Sequence, residues 1–142
     1  MRFDLYQRET EQLALMQSCM LNEAQVKLQR GQNLSLLEQG GVMHALQLLI
    51  ENAIGKAKHI LKAQGETVPV SAYDAFSSII RLGVLPTDQL KNWNAVIGIR
   101  NRIVHVYMNI DMQVIFELLI NQRYQFVINF LMQATDLSGK AK

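Results

Sequence analysis

The sequence predicts an all-α protein, an up-and-down antiparallel bundle of four to five helices. Only two of the 142 residues are proline, the residue that interrupts helices most strongly. Leucine, methionine and alanine, whose side chains lose little or no freedom in a helix, are frequent. Apolar residues also recur at steps of three and four along most of the chain, which is the period of an amphipathic helix. Long helices joined by short connections pack as antiparallel neighbours.

The length predicts one domain, which we expect to span residues 1–137, followed by a flexible polar tail at residues 138–142. No signal peptide opens the chain, and no run without charges approaches the ~20 residues of a membrane span. The single cysteine, Cys19, cannot form an internal disulfide. These features predict a cytoplasmic protein that does not contact a membrane.

The first helix is predicted from about Arg2 to Arg30, and Gly31 ends it as a C-terminal cap. Apolar residues spaced at helical intervals predict its buried stripe. They are Leu13, Met16, Met20, Leu21, Ala24 and Leu28.

The second helix is predicted to run to about Gln64, before Gly65, but its beginning has two solutions. It starts either at about Leu34, with a weak point at a pair of glycines at 40 and 41, or only at Val42. The sequence leaves both open.

Two shorter helices are predicted next. Ser71 followed by Asp74 resembles a capping box and opens the third helix, which carries the apolar positions Tyr73, Phe76, Ile79 and Ile80. Gly83 and Pro86 interrupt that helix, and Thr87 is predicted to cap the fourth, which runs toward residue 100.

The last helix is predicted from about Met112 to Thr135, with Asn109 or Asp111 as its N-terminal cap. Its apolar residues cover much of its circumference. Such a helix is either central in the bundle or shared with a partner.

The charges are segregated along the chain. The formal net charge is only +2, but residues 52–65 and 89–110 contain six basic residues and no acidic one. These basic residues are Lys56, Lys58, Lys62, Lys91, Arg100 and Arg102. A surface that combines the two segments would attract an anionic ligand. The alternative is that they form ordinary solvated helix faces.

Several catalytic and binding motifs are missing from the sequence. It contains no phosphate-binding GxxxxGK[ST] loop, no glycine-rich dinucleotide fingerprint, no CxxC pair and no HExxH motif. A metalloenzyme or nucleotide hydrolase is therefore not expected, and neither a metal nor a cofactor is predicted. His44 and His59, in the second helix, are better explained as helix-face or core histidines than as ligands.

Residues 97–107 carry an unusual set of polar side chains, because Arg100, Arg102, His105 and Tyr107 stand there among mostly apolar residues. We expect Tyr107 to lie in an extended turn after the fourth helix, near His105. A purely structural explanation is also open, in which Arg100 caps carbonyls at the helix end while His105 and Tyr107 bond to each other or to the backbone.

The spacing of Arg100, Asn101, His105 and Tyr107 has the form RNxxxHxY. It resembles the motif of the HepT-like branch of the HEPN superfamily. Residues 54–61, 69–76 and 82–86 also resemble that family, so that the similarity covers roughly residues 42–131. The glycine pair and the glutamine-rich first helix have no counterpart in it.

The resemblance implies a helical, metal-independent endoribonuclease that is the toxin of a type VII-like toxin–antitoxin pair. It further implies a homodimer in which two motifs face one cleft. The antitoxin would be a minimal nucleotidyltransferase that silences the toxin by adding AMP to Tyr107. Whether the target is a transfer RNA or a messenger RNA does not follow from the sequence.

The chemistry of the motif side chains is itself suited to cutting RNA without a metal. RNA is cut without a metal when its 2′-hydroxyl attacks the adjacent phosphorus, which requires a base, an acid and a stabilised phosphorane. His105 can act as base or acid near neutral pH, Arg100 can bind the phosphorane oxygens, and Asn101 can orient the imidazole or a phosphate. Five other basic residues are predicted to contact RNA phosphates. They are Lys56, Lys58, Lys62, Lys91 and Arg102.

Two other functions stay open. The chain could be a non-catalytic accessory bundle that binds a nucleotide or other substrate for a nucleotidyltransferase, using Arg100 and His105 as phosphate ligands. It could also be a helical nucleic-acid binder or a purely structural bundle. The low content of charged residues, 18%, and the lack of a basic recognition helix argue against a protein that reads DNA.

Overall fold

The computed structural model describes residues 3–106 and 109–134, which form an all-α bundle of six α-helices and one short 3₁₀ turn. The helices are α1 (Phe3–Gln29), α2 (Leu36–Ala63), α3 (Ala72–Arg81), α4 (Leu90–Val106), α5 (Met112–Ile120) and α6 (Gln125–Met132). The predicted fold class is confirmed, with six helices where four to five were expected. In the described part of the chain, no helix combines the length and hydropathy needed to cross a membrane.

Helices α1 and α2 form an antiparallel pair. An ion pair between Lys27 and Glu38 joins the end of α1 to the beginning of α2. At the other end of the pair, the rings of Tyr6 and His59 have centroids 4.1 Å apart. Ser35 begins α2 with a complete capping box to Glu38, so the earlier of the two predicted starts is right and the glycine pair lies within the helix.

The buried face of α1 differs from the predicted stripe. Leu21 and Ala24 are buried, but Met16 is 62% exposed, and Leu13 and Met20 are exposed as well. The buried positions instead include three polar residues, Thr10, Gln17 and Gln25. The reason is that α1 packs against α5 and α6 as well as α2, which turns its buried side by about 100° from the methionines.

The predicted last helix is wrong in one respect, because it divides into α5 and α6 at a turn over residues 121–124. Gln122 adopts a positive φ of 51° in that turn. The break allows both helices to pack on α1, where the Tyr124 hydroxyl donates a hydrogen bond of 2.7 Å to Asn22 Oδ1. Asp111 accepts from the backbone N–H of Gln113 and is therefore the cap of α5.

Helices α3 and α4 are held together by aromatic packing. The Phe76 ring of α3 stacks on Trp93 of α4 with centroids 4.1 Å apart, and Phe126 and Phe130 meet the same Trp93 ring edge to face. Ser71 caps α3 as predicted. Thr87 does not cap α4: it opens the 3₁₀ turn, whose cap position is Pro86. The aromatic cluster fixes α3 beside the helix that carries the motif.

Candidate active site

The motif residues Arg100, Asn101 and His105 lie in the last two turns of α4. The helix continues to Val106, so His105 is helical. Tyr107, the fourth residue of the motif, lies outside the described residues. The predicted site is therefore built on a rigid element as far as His105.

Arg100 and His105 lie on different sides of α4. Asn101 and His105 are four residues apart and share one face of α4, whereas Arg100 and His105 are separated by about 140° around the helix axis. Arg100 leaves α4 on the side that carries its buried residues, which are Trp93, Val96, Ile97 and Ile103. A single chain thus presents the two side chains on different sides of α4.

The Arg100 guanidinium has no partner in the described part of the chain. Arg100 is partly buried, and its Nε is enclosed without a hydrogen-bond acceptor. No contact with the carbonyls at the end of α4 or with a carboxylate satisfies it, so the structural explanation for Arg100 as a carbonyl cap does not hold among these residues. An enclosed donor without an acceptor is costly, and the other guanidinium N–H groups of Arg100 are candidates to bind an anion.

His105 is exposed at the end of α4. Among the described residues, no hydrogen bond reaches its imidazole, including from Asn101. The His105 side chain is therefore accessible to solvent in the described structure. An accessible imidazole is what a general acid or base requires.

Tyr73 of α3 belongs to this region, although the sequence marked it only as an apolar position of the third helix. Its hydroxyl accepts a hydrogen bond from Asn101 Nδ2 at 3.5 Å. The approach passes over Gly98, where an added Cβ would lie 3.7 Å from the same hydroxyl. The packing of α3 on α4 brings Tyr73 and Asn101 together although they are 28 positions apart in the sequence. No local sequence pattern predicts this contact.

Lys56 is not available for the phosphate contact predicted for it. The side chain is 0% exposed, and its Nζ donates to the carbonyl oxygens of Phe130 at 2.8 Å and Gln133 at 2.6 Å. Burial lowers the pKa of Lys56 to about 8, although Glu11 opposes the shift. The ammonium group thus satisfies the C-terminal carbonyls of α6, where a positive charge is favourable, and the prediction of RNA contact is wrong here.

The other predicted RNA-contacting residues lie nearer the surface. Lys62, Lys91 and Arg102 are exposed, and Lys58 is half-buried with its Nζ bonded to the carbonyl of Val70 at 3.0 Å. Arg102 follows the motif asparagine directly, whereas Lys91 stands at the far end of α4, about 21 Å from His105 along the axis. Helices α2 and α4, which carry the two basic segments of the sequence, pack on each other.

A groove of about 310 Å³ lies between α4 and the α5–α6 pair. Its walls are largely apolar and include Ile99, Val114 and Phe126. An ion pair of 3.3 Å between Glu117 and Arg123 stands among its lining residues. None of the motif residues lines the groove, so the volume of this cavity does not identify the candidate site.

No group of three or more His, Cys, Asp or Glu residues that could hold a metal occurs among residues 3–106 and 109–134.

Comparison with protein families gives a match: the model of the HepT-like family, described as ribonuclease HepT-like, matches residues 10–134 of the chain. The match includes every motif residue and both basic segments. Neither the comparison with curated proteins nor the comparison with solved structures finds a match.

Proposed function

Since this chain belongs to the ribonuclease HepT-like family, we propose that it is a metal-independent endoribonuclease and the toxin of a type VII-like toxin–antitoxin pair. One observation carries the proposal: Arg100, a partly buried cation without a partner in the described chain, precedes the exposed His105 by five residues. An anion site beside an accessible acid–base group suits transesterification of a phosphodiester.

The reaction uses the substrate's own 2′-hydroxyl as nucleophile. An imidazole takes the 2′-hydroxyl proton as the 2′-oxygen attacks the phosphorus, and Arg100 binds the oxygens of the resulting phosphorane. The bond between phosphorus and the 5′-oxygen then breaks, and an imidazolium donates the proton that this oxygen needs. The products are a 2′,3′-cyclic phosphate and a 5′-hydroxyl.

A homodimer supplies the second imidazole in this proposal. One histidine does not readily act as base and acid in the same step, and Arg100 and His105 of one chain leave α4 about 140° apart. Two α4 ends facing one cleft would place Arg100 of each copy near His105 of the other. The apolar circumference of the predicted last helix no longer supports a dimer, since α5 and α6 bury much of it within the chain.

RNA backbone contacts are assigned to Lys58, Lys62, Lys91 and Arg102. Lys62, Lys91 and Arg102 are exposed, and both helices that carry these four residues lack acidic neighbours in the segments 52–65 and 89–110. Contacts to phosphates carry little sequence information. The binding they provide therefore weakens with salt and is similar for different RNA sequences.

Tyr107 is the proposed site of silencing by the antitoxin, a minimal nucleotidyltransferase. It follows His105 by two residues, so AMP attached to its hydroxyl would put a bulky negative group beside the cleft. That charge would repel the RNA backbone, as phosphorylation does beside an anion site. Incubation with a minimal nucleotidyltransferase antitoxin and ATP should add AMP mass to the Tyr107 peptide, whereas inhibition without ATP or modification would contradict this mechanism.

The proposed activity is tested by RNA cleavage in EDTA. His105→Ala and Arg100→Ala should each lower the rate by about 10²- to 10⁴-fold, and Arg100→Lys should also lose activity because lysine cannot bind two phosphate oxygens as a guanidinium does. His44→Ala, at an exposed histidine of α2, is the matched control and should leave the rate unchanged. Full activity in His105→Ala, or dependence on added Mg²⁺, would refute the proposal.

A non-catalytic accessory bundle is the second candidate. The observation that favours it is the separation of Arg100 and His105 around α4, because one chain then offers an anion site without a complete acid–base pair. This function predicts that the protein binds a nucleotide through Arg100 but leaves RNA intact.

A further inference from the structure

We infer that Tyr73 of α3 is a substrate-contacting side chain of this site, and that an unpaired base next to the cut phosphate stacks on its ring. The inference rests on the proposed function and narrows its substrate to RNA with unpaired nucleotides. Tyr73 lies outside the RNxxxHxY motif, and its position beside that motif comes from the packing of α3 on α4.

The packing of α3 on α4 places the Tyr73 hydroxyl against the motif helix. Phe76, one turn further along α3, stacks on Trp93 of α4, and this contact sets the distance between the helices. The hydroxyl of Tyr73 lies against Gly98 and 3.5 Å from Asn101 Nδ2. That hydrogen bond is long, and the contact between Phe76 and Trp93 holds α3 against α4 without it, so we expect the placement of Tyr73 not to depend on the hydroxyl.

The exposure of this ring is unusual in the molecule. Tyr73 is 39% exposed, whereas the other phenylalanine, tryptophan and tyrosine side chains whose burial the structure describes are buried or partly buried. Tyr6 packs on His59 and Tyr124 is buried. An exposed tyrosine therefore stands beside Asn101 of the motif.

An aromatic ring beside the motif would hold the base of the nucleotide, which the basic residues do not contact. Arginine and lysine hold phosphates, but they leave the nucleotide free to rotate, and attack by the 2′-hydroxyl requires it in line with the leaving 5′-oxygen. Unpaired RNA bases stack on exposed aromatic side chains with little dependence on sequence. A base within a duplex is already stacked between its neighbours and does not reach such a ring, which is why the site selects unpaired RNA.

The test compares Tyr73→Phe with Tyr73→Leu. The phenylalanine keeps the aromatic ring and should keep KM for a single-stranded oligonucleotide, while the leucine should raise KM by about 5- to 100-fold, the range expected for loss of one stacked base. Val70→Ala, at a 95% exposed apolar residue just before α3, is the control for lost apolar surface and should not change KM. The wild-type enzyme should cut the same sequence far more slowly when it is annealed into a duplex.

A measurement on the unaltered side chain covers the case in which Tyr73→Leu does not fold. Irradiation of a 5-iodouridine oligonucleotide bound to the His105→Ala protein should crosslink the α3 peptide that contains Tyr73. Equal KM values for the leucine and phenylalanine variants, or crosslinks confined to other peptides, would overturn the inference. Wild-type protein that binds RNA through Tyr73 without cutting it would instead refute the proposed ribonuclease and leave the stacking contact supported.

Discussion

Two basic side chains in the packed helices α2 and α4, Lys56 and Arg100, have opposite surroundings. Lys56 is fully buried and its three protons point to carbonyl oxygens near the end of α6. Arg100 is partly buried, and its Nε has no acceptor among the described residues. In the sequence, both belong to a group of six basic residues in segments that contain no acidic residue. Only the contacts between helices separate the structural cation from the one left open for a ligand.

The buried ammonium of Lys56 predicts a pH-dependent contribution to stability. Its pKa in the folded protein is about 8, below the value near 10.4 of an unfolded chain. Between these values the unfolded chain binds more protons than the folded one, so the free energy of unfolding rises with pH. Lys56→Met removes the titrating group and therefore this pH-dependent contribution to the free energy of unfolding. Urea unfolding at pH 7.5 and pH 10 should therefore show the wild type gaining stability relative to the variant, and an equal difference at both values would contradict it.

At the scale of the helices, local signals predicted most of the boundaries. Ser71 and Asp111 cap α3 and α5, and Gly31 and Gly65 end α1 and α2 with positive φ. The turn at residues 121–124 was missed because no glycine or proline marks it. It depends on tertiary contacts of α5 and α6 with α1, such as the hydrogen bond between Tyr124 and Asn22.

The candidate site, too, was predicted only in part from the sequence. The sequence predicted Arg100, Asn101 and His105 together because they stand within one short helical segment. Tyr73 and the burial of Lys56 could not be predicted, since each depends on a contact between helices far apart in sequence.

The glycine pair in α2 gives a prediction at the same scale. A Cβ added at Gly40 would meet no atom within 4 Å, and the residue is exposed inside the helix. Gly40→Ala should therefore raise the free energy of unfolding by about 1 kcal/mol, the usual difference between these residues in a helix. Gly31→Ala is the matched opposite, because Gly31 has a φ of +74°, and it should destabilise the protein. Chemical denaturation should show a higher free energy of unfolding for Gly40→Ala and a lower one for Gly31→Ala. A loss of stability in Gly40→Ala would contradict this account of the glycine pair.

For the whole molecule, the proposed composite site predicts a homodimer. One chain has a mass of 16.2 kDa, so light scattering at micromolar concentration should give about twice that mass, as the pairing of two copies requires. Mixing the wild type with an excess of His105→Ala protein should lower the activity per wild-type chain, because a mixed dimer carries one imidazole where the proposed reaction uses two. A stable monomer that cuts RNA would contradict this arrangement.

The chemistry of the cut tests the central claim most directly. An oligonucleotide with one cleaved position should be incubated with the protein in EDTA, alongside the same oligonucleotide carrying a single 2′-deoxy nucleotide at that position. Attack by the 2′-hydroxyl predicts a 2′,3′-cyclic phosphate and a 5′-hydroxyl from the first substrate and no cut at the deoxy position of the second. Cleavage of the deoxy substrate at that position, or products that carry a 5′-phosphate, would contradict the mechanism assigned to Arg100 and His105.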